Sequence, residues 1–194
     1  MPTFPILLPT TPTAREISWQ AIAKVAVASS PFTGQSQVYA HPGQWWEVNF
    51  ALPPLTQAQS AQWAAAMLSL NGREGTFKLA PTDATPQAAV SGTVVVDAIS
   101  GDYLDLSGMT GTFTAGDWIQ IEIGLYRITT GDTAVAGEAT IEVWPKPRSE
   151  IVATTSTVEY AAPVGIFRLF DSFEWKMDLA KTYGINIGAR EVIA

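Results

Sequence analysis

Cysteine is absent from this 194-residue chain, which removes disulfides, thiolate catalysis and thiolate metal sites from consideration. Charge is scarce: Asp, Glu, Lys and Arg make up 15% of the residues, against about 25% in average globular domains. Histidine occurs once, at His41, between Ala40 and Pro42 in an expected turn. A catalytic triad needs a nucleophile, a base and an orienting acid, and no Gly-x-Ser-x-Gly surrounds any serine. A basic stripe is missing too. Eleven Lys and Arg against eighteen Asp and Glu leave a net charge of −7, whereas nucleic-acid binding requires phosphate neutralisation. Neither DNA, RNA nor an anionic membrane is therefore an expected partner. No apolar run approaches the roughly 18 residues of a membrane span. The start, Met1-Pro2-Thr3-Phe4-Pro5-Ile6-Leu7-Leu8-Pro9, has no basic segment and is broken by prolines, so it does not read as a signal peptide. Synthesis and folding in the cytoplasm are expected.

Apolar and aromatic residues are plentiful. Hydrophobic residues account for 47% of the chain, with seven Trp, eight Phe and five Tyr. Low charge with many aromatics characterises the centres of protein interfaces as well as β-sheet cores. The Pro-rich segment 1–13 reads as an extended arm, because proline removes backbone donors and fixes φ. Its apolar side chains Phe4, Ile6, Leu7 and Leu8 are candidate contacts to a neighbouring subunit, or else cover the chain's own sheet.

Alternation from Ile17 through Trp19 and Ala21, with a change of parity near Val25, predicts a long, bent or bulged strand. Ser30-Pro31-Phe32-Thr33-Gly34 is an expected turn, Gln35–Ala40 a strand, His41-Pro42-Gly43 a second turn and Trp45–Leu52 a third strand. Adjacent strand residues face opposite sides. One ring of Trp45-Trp46 is thus expected in the core and the other exposed, at a subunit contact or stacked on a sugar. One helix is expected over 56–71, capped by Thr56 with Gln59 three residues on. It presents Trp63, Met67 and Leu70 as an apolar stripe and ends at Asn71-Gly72.

Composition changes after residue 81. A Thr/Ala/Pro/Gln linker leads into short strands at Thr93–Ile99, Tyr103–Leu106, Trp118–Ile123, Leu125–Thr129 and Thr140–Val143, separated by Gly-Asp turns. Such spacing predicts a small barrel or sandwich. Strands are expected again at Thr157–Ala161 and Gly165–Phe170, then along Phe173, Trp175 and Met177, with Trp175 a further interface candidate, and finally near Ile185 and Ile187. The expected fold is mainly β: a sandwich or ring-forming β-domain with one packed helix, residues 1–86 plus 152–194, interrupted by an inserted small barrel at 87–151.

Asp97, Asp102, Asp105 and Asp117 fall in the inserted segment, and Asp102 or Asp105 are the only carboxylates worth weighing for hydrolysis or a cation. Each lies beside a glycine turn or alternates along a strand, where turn geometry explains Asp. Gly108-Met-Thr-Gly111 lacks the lysine of a phosphate loop. No catalytic, metal or cofactor residues are assigned.

Taken together, several segments resemble those of tail proteins of siphovirus-type bacteriophages, particularly distal or minor tail components. They are Ser30-Pro31-Phe32-Thr33-Gly34-Gln35, Gly43-Gln44-Trp45-Trp46, Leu52-Pro53-Pro54-Leu55-Thr56 with its Ala-rich helix, Leu70-Asn71-Gly72-Arg73-Glu74-Gly75-Thr76-Phe77, Phe113-Thr114-Ala115-Gly116-Asp117-Trp118-Ile119 and Phe173-Glu-Trp175. The resemblance covers most of the chain and carries no catalytic signature. It implies a structural virion protein, located in the tail, that forms a homo-oligomeric ring between the tail tube and the tip or baseplate. Six subunits are favoured over three. A distal tail protein commonly carries its barrel after the ring domain, whereas this chain places it within. A trimeric tip or hub subunit is one alternative, and a host-facing carbohydrate-binding module is another.

Overall fold

A period of two in hydrophobicity runs through most of the chain, and the fold follows it. The computed structural model describes residues 3–171, 173–177 and 183–193. Strand accounts for 52% of the structure and helix for 7%, so the fold is mainly β. The elements run β1 (Ile6–Leu7), β2 (Glu16–Ser29), β3 (Ser36–Ala51), α1 (Gln57–Ser69), β4 (Phe77–Leu79), β5 (Val90–Ser100) and β6 (Tyr103–Gly111). They continue with β7 (Trp118–Ile121), β8 (Gly124–Thr130), β9 (Ala139–Trp144), β10 (Val158–Glu159), β11 (Gly165–Leu169), β12 (Trp175–Met177) and β13 (Tyr183–Glu191).

The first sheet has the order β1-β4-β11-β13-β3-β2, with β12 paired to β13. Every pairing in it is antiparallel except β1 with β4. Its inner face is the apolar half of each alternation: Trp46, Val48, Phe50 and Leu52 on β3 and beyond, Phe167 and Leu169 on β11, Ile185, Ile187 and Ala189 on β13. Helix α1 covers one end of this face with Trp63, Met67 and Leu70. Its start is fixed by a complete capping box, in which the Thr56 hydroxyl accepts from the Gln59 N–H and the Gln59 carboxamide accepts from the Thr56 N–H. After Leu70 the chain turns through Asn71 and Gly72, both with positive φ. Asparagine, not only glycine, therefore takes a left-handed position at this helix end.

Between β4 and β11 the chain leaves the first sheet and builds the second, of order β10-β7-β8-β9-β6-β5. Its two ends nearly meet. Val95 bridges Thr157, the Val96 N–H donates to Ser156 O, and Thr154 N–H donates to Val96 O. The result is a nearly closed barrel filled by Val94, Val96, Leu104, Leu106, Ile119, Tyr126, Ile141 and their neighbours. The Gly-Asp turns fall where expected, and most strand cores do as well. Two expectations are corrected. The strand expected at 157–161 does not return to the first sheet: β10 pairs with β7, and Ile151 and Val158 lie in the barrel core. The barrel segment thus runs to about residue 160 rather than ending at 151. The turn expected at His41-Pro42-Gly43 is not a reversal either, because β3 continues through it. In the ladder Ala23 pairs with Gln44 and Val25 with Ala40, so Lys24 alone stands opposite these three residues. The extra residues are absorbed as a bulge, where a proline without a donor is tolerated.

The two cores touch. Trp118 and Leu125 of the barrel belong to the core of the first sheet. Trp46 has its ring centroid 4.8 Å from Trp118 and 4.4 Å from Trp144, while Trp19 lies 5.2 Å from Trp118. Four tryptophans from both sheets thus close the junction, at separations where edge and tilted ring contacts are favourable. Replacing Thr56 with Ala at the other end of the core removes the helix cap. It is expected to cost about 1 kcal/mol, seen as a lower urea midpoint with an unchanged slope.

Candidate functional site

Adjacent strand residues must point to opposite faces, and Trp45-Trp46 obeys this without leaving either ring free. Trp46 points inward and is 5% exposed; its indole N–H donates to Leu125 O at 3.0 Å. Trp45 points outward yet is only 9% exposed. The Lys24 ammonium stands 5.2 Å from its ring centre, the Arg190 guanidinium stands 4.8 Å away, and the indole N–H donates to Glu47 at 2.9 Å. Cations attracted to the ring face cover it. The exposed tryptophan expected here, whether for a glycan or for a subunit, is therefore absent. The Trp175 side chain lies outside the described residues.

Of the arm residues, Ile6 and Leu8 pack on the first core, while Phe4 is 39% and Leu7 is 77% exposed. The arm lies along its own sheet through β1, next to β4, and still presents apolar side chains outward. Phe4 is held near Gly75, where a Cβ would meet the Phe4 ring at 2.5 Å and Leu70 O at 2.7 Å. Only glycine leaves room for the arm at this point.

The acidic residues have local roles. Asp117 is buried and accepts from the N–H groups of Gln87 and Thr114 and from the Thr114 hydroxyl. Asp105 accepts from the Thr140 hydroxyl at 2.7 Å, and Asp102 pairs with Lys146 at 3.1 Å. His41 lies exposed on the ribbon with its ring against Tyr39. Among the described residues, no group of three or more His, Asp or Glu is placed to hold a metal ion. A groove of about 670 Å³ runs beside β11 and β13, lined by Arg73, Arg168, Arg190 and Asp171. Two of its guanidinium groups are already taken, Arg73 by Asp171 at 2.6 Å and Arg190 by Glu47 at 3.2 Å.

No family model matches this chain, and no curated protein matches it. The surface itself must carry the functional reading.

The feature that sequence reasoning passed over is the outer half of the β2–β3 hairpin. Among the described residues, β3 from Ser36 to Gln44 pairs only with β2, and β2 has no other neighbour. Beyond the bulge the two strands form a bare ribbon whose residues are all exposed. Cross-strand partners Val25 with Ala40 and Val27 with Val38 share one face and make an aliphatic patch on it, with Ser29 and Ser36 paired beyond them toward the tip. Val27 and Val38 are each 62% exposed, and Phe32 at the tip is 95% exposed. A two-stranded ribbon has little stability of its own in water, and burying each valine is worth about 1.5 kcal/mol. This is a surface shaped for cover. A signal for it was present in the sequence: no charged residue occurs between Lys24 and Glu47.

The junction holding barrel to sheet is polar at its centre. Glu191, at the end of β13, has a fully buried carboxylate that accepts from Trp46 N–H at 3.1 Å, Leu125 N–H at 3.0 Å and the Arg148 guanidinium at 2.6 Å. Burial alone would lower the Arg148 pKa, but the hydrogen bond and charge of Glu191 outweigh it and hold the guanidinium above its ordinary value. Beside it, burial pushes the Tyr126 phenol up to about 12, against the lowering effect of Arg148.

Two outcomes follow for this joint. Glu191→Leu strands Arg148 and two backbone donors, and is expected to cost about 3 kcal/mol or more in a denaturant titration. Tyr126 is protonated in the fold at pH values where the unfolded phenol ionises. Its contribution is fully present below about pH 10 and is lost as pH rises toward about 12, a span worth about 2–3 kcal/mol. In Tyr126→Phe, that part of the alkaline fall in stability should disappear, as measured by urea unfolding from pH 9 to 12.

Proposed function

We propose that the chain is a structural virion protein of a long-tailed bacteriophage, forming a ring that joins the tail tube to the tail tip or baseplate. The observation that carries this reading is the exposed, uncharged ribbon with its aliphatic patch of Val25, Val27, Val38 and Ala40. A free enzyme or monomeric binding module has no use for such an arm, whereas an assembling subunit gains its contact surface from it.

The distribution of charge supports the same reading. Residues 87–160, the barrel segment, hold ten acidic and three basic residues, a net of −7. The remaining residues hold eight of each sign. All of the net charge thus sits on the inserted barrel, and the first sheet with its arms is balanced. Copies packed through a neutral frame avoid mutual repulsion, while acidic barrels stay solvated and apart. The barrel is locked to the frame by the Trp46–Trp118–Trp144 cluster and the Glu191 carboxylate, so it would stand at a fixed angle from each subunit of a ring.

Other tail proteins, tube on one side and tip or hub on the other, are the heterologous partners this role requires. The test is the mass of the purified chain by light scattering, with negative-stain images of the main peak. A closed ring of about six copies is the expected result on the family resemblance, since closed rings are what head-to-tail contacts produce. A trimer would assign it to the tip or hub. A protein that remains monomeric at high concentration, and is absent from tails, would remove the reading.

A further inference from the structure

Resting on the ring reading, we infer that the contact between subunits is head to tail, with the hairpin ribbon 25–40 of one copy seated on the N-terminal arm, centred on Phe4 and Leu7, of a second copy. The argument begins with topology. In the sheet order β1-β4-β11-β13-β3-β2, the ribbon grows from one edge and the arm forms the other. The two most exposed apolar segments of the frame therefore lie at opposite ends of the same sheet. Contacts between different surfaces of identical chains repeat around an axis and close into rings when the rotation closes, or run on as filaments when it does not, whereas a surface that meets itself stops at a pair. The placement of these two segments suits the first kind.

Charge selects the occupant. The arm up to Ala14 has no charged side chain, and the ribbon has none between Lys24 and Glu47. Each copy otherwise presents a barrel of net −7. A second copy meets no like charge where both surfaces lack charged side chains, and these two segments meet that condition on both sides. Size is compatible as well. Six residues beyond the bulge carry the ribbon about 20 Å from the body, enough to reach across a neighbouring edge. The aliphatic patch of Val25, Val27, Val38 and Ala40 offers no hydrogen-bonding side chains before the Ser29–Ser36 pair nearer the tip, and Phe4 and Leu7 offer none either. The contact is therefore dispersive and hydrophobic, and it is held by shape rather than by ion pairs.

The test uses the full chain and two exposed positions, Val27→Asp on the ribbon and Leu7→Asp on the arm. Both side chains project into solvent, so circular dichroism and thermal melting should stay as in the wild type. Each variant alone should fall from oligomer to monomer in light scattering. An equimolar mixture should then recover a dimer and nothing larger. The Leu7→Asp copy still has its ribbon, the Val27→Asp copy still has its arm, and only one joint per pair can form. Raising salt from low to high should leave the wild-type oligomer intact. A wild-type oligomer that either variant leaves unchanged would overturn this pairing while the ring reading stands. A mixture that stays monomeric would overturn it too, because the intact ribbon of one variant then fails to bind the intact arm of the other; a single variant that stays associated would mean that ribbon meets ribbon or arm meets arm. A wild type that is itself monomeric would take the ring reading down together with this contact.

Discussion

One carboxylate holds the two halves of this protein in register. Glu191 ends β13 on the inner face of the first sheet, and its oxygens accept from a backbone donor of β3, a backbone donor of β8 and one terminal nitrogen of the Arg148 guanidinium, whose other two nitrogens are buried without a hydrogen-bond partner. A buried charge is costly unless fully partnered, so the site tolerates only one relative placement of sheet and barrel. The tryptophan cluster around it supplies the apolar area, and the carboxylate supplies the direction. The strong pairing is not by itself a source of net stability, since apolar side chains of matching shape in place of both partners can do as well. What it provides is a unique alignment: shift β8 by one residue and Leu125 N–H no longer points at Glu191.

That alignment gives the charge distribution its meaning. A flexible tether would let an acidic barrel sample many directions around a neutral frame. With the junction fixed, the charge of the barrel stands at a set position relative to the sheet edges where the uncharged arms lie. The chain is thus divided into a charged part and uncharged edges. Trp45 illustrates the economy of the outer face: its ring is used to seat Lys24 and Arg190, and its N–H to hold Glu47, which in turn fixes Arg190.

Much of this fold was legible because its rules are local. The capping box at Thr56 and Gln59, the stripe of Trp63, Met67 and Leu70, and the Gly-Asp turns of the barrel depend on neighbours within a few residues. The errors came where distant residues decide. His41-Pro42-Gly43 carries every mark of a turn, but the ladder on either side is held by pairs such as Ile22 with Trp45 and Val27 with Val38, and the strand bulges instead. Val158 reads as a strand of either sheet, and only Ile121 across from it assigns it to the barrel. One of Trp45 and Trp46 was expected to be exposed because alternation places them on opposite faces; nothing nearby in sequence reveals that Arg190 will lie over the outer ring of Trp45. The ribbon was overlooked for the opposite reason. Valines and alanines in a strand normally mean a core, and the sequence does not mark that no second layer reaches them.

The bulge at Lys24 separates two ladders that share a single hairpin. Below it, register is enforced by Phe50, Val48 and Trp46 in the core, where a slip of one residue would turn the apolar face to water. Above it, no buried side chain constrains the pairing. The ribbon can therefore gain or lose residues in steps of two, one from each strand, without disturbing a contact in the body. Reach becomes an adjustable dimension of this protein, free to lengthen or shorten while the frame that carries it stays the same.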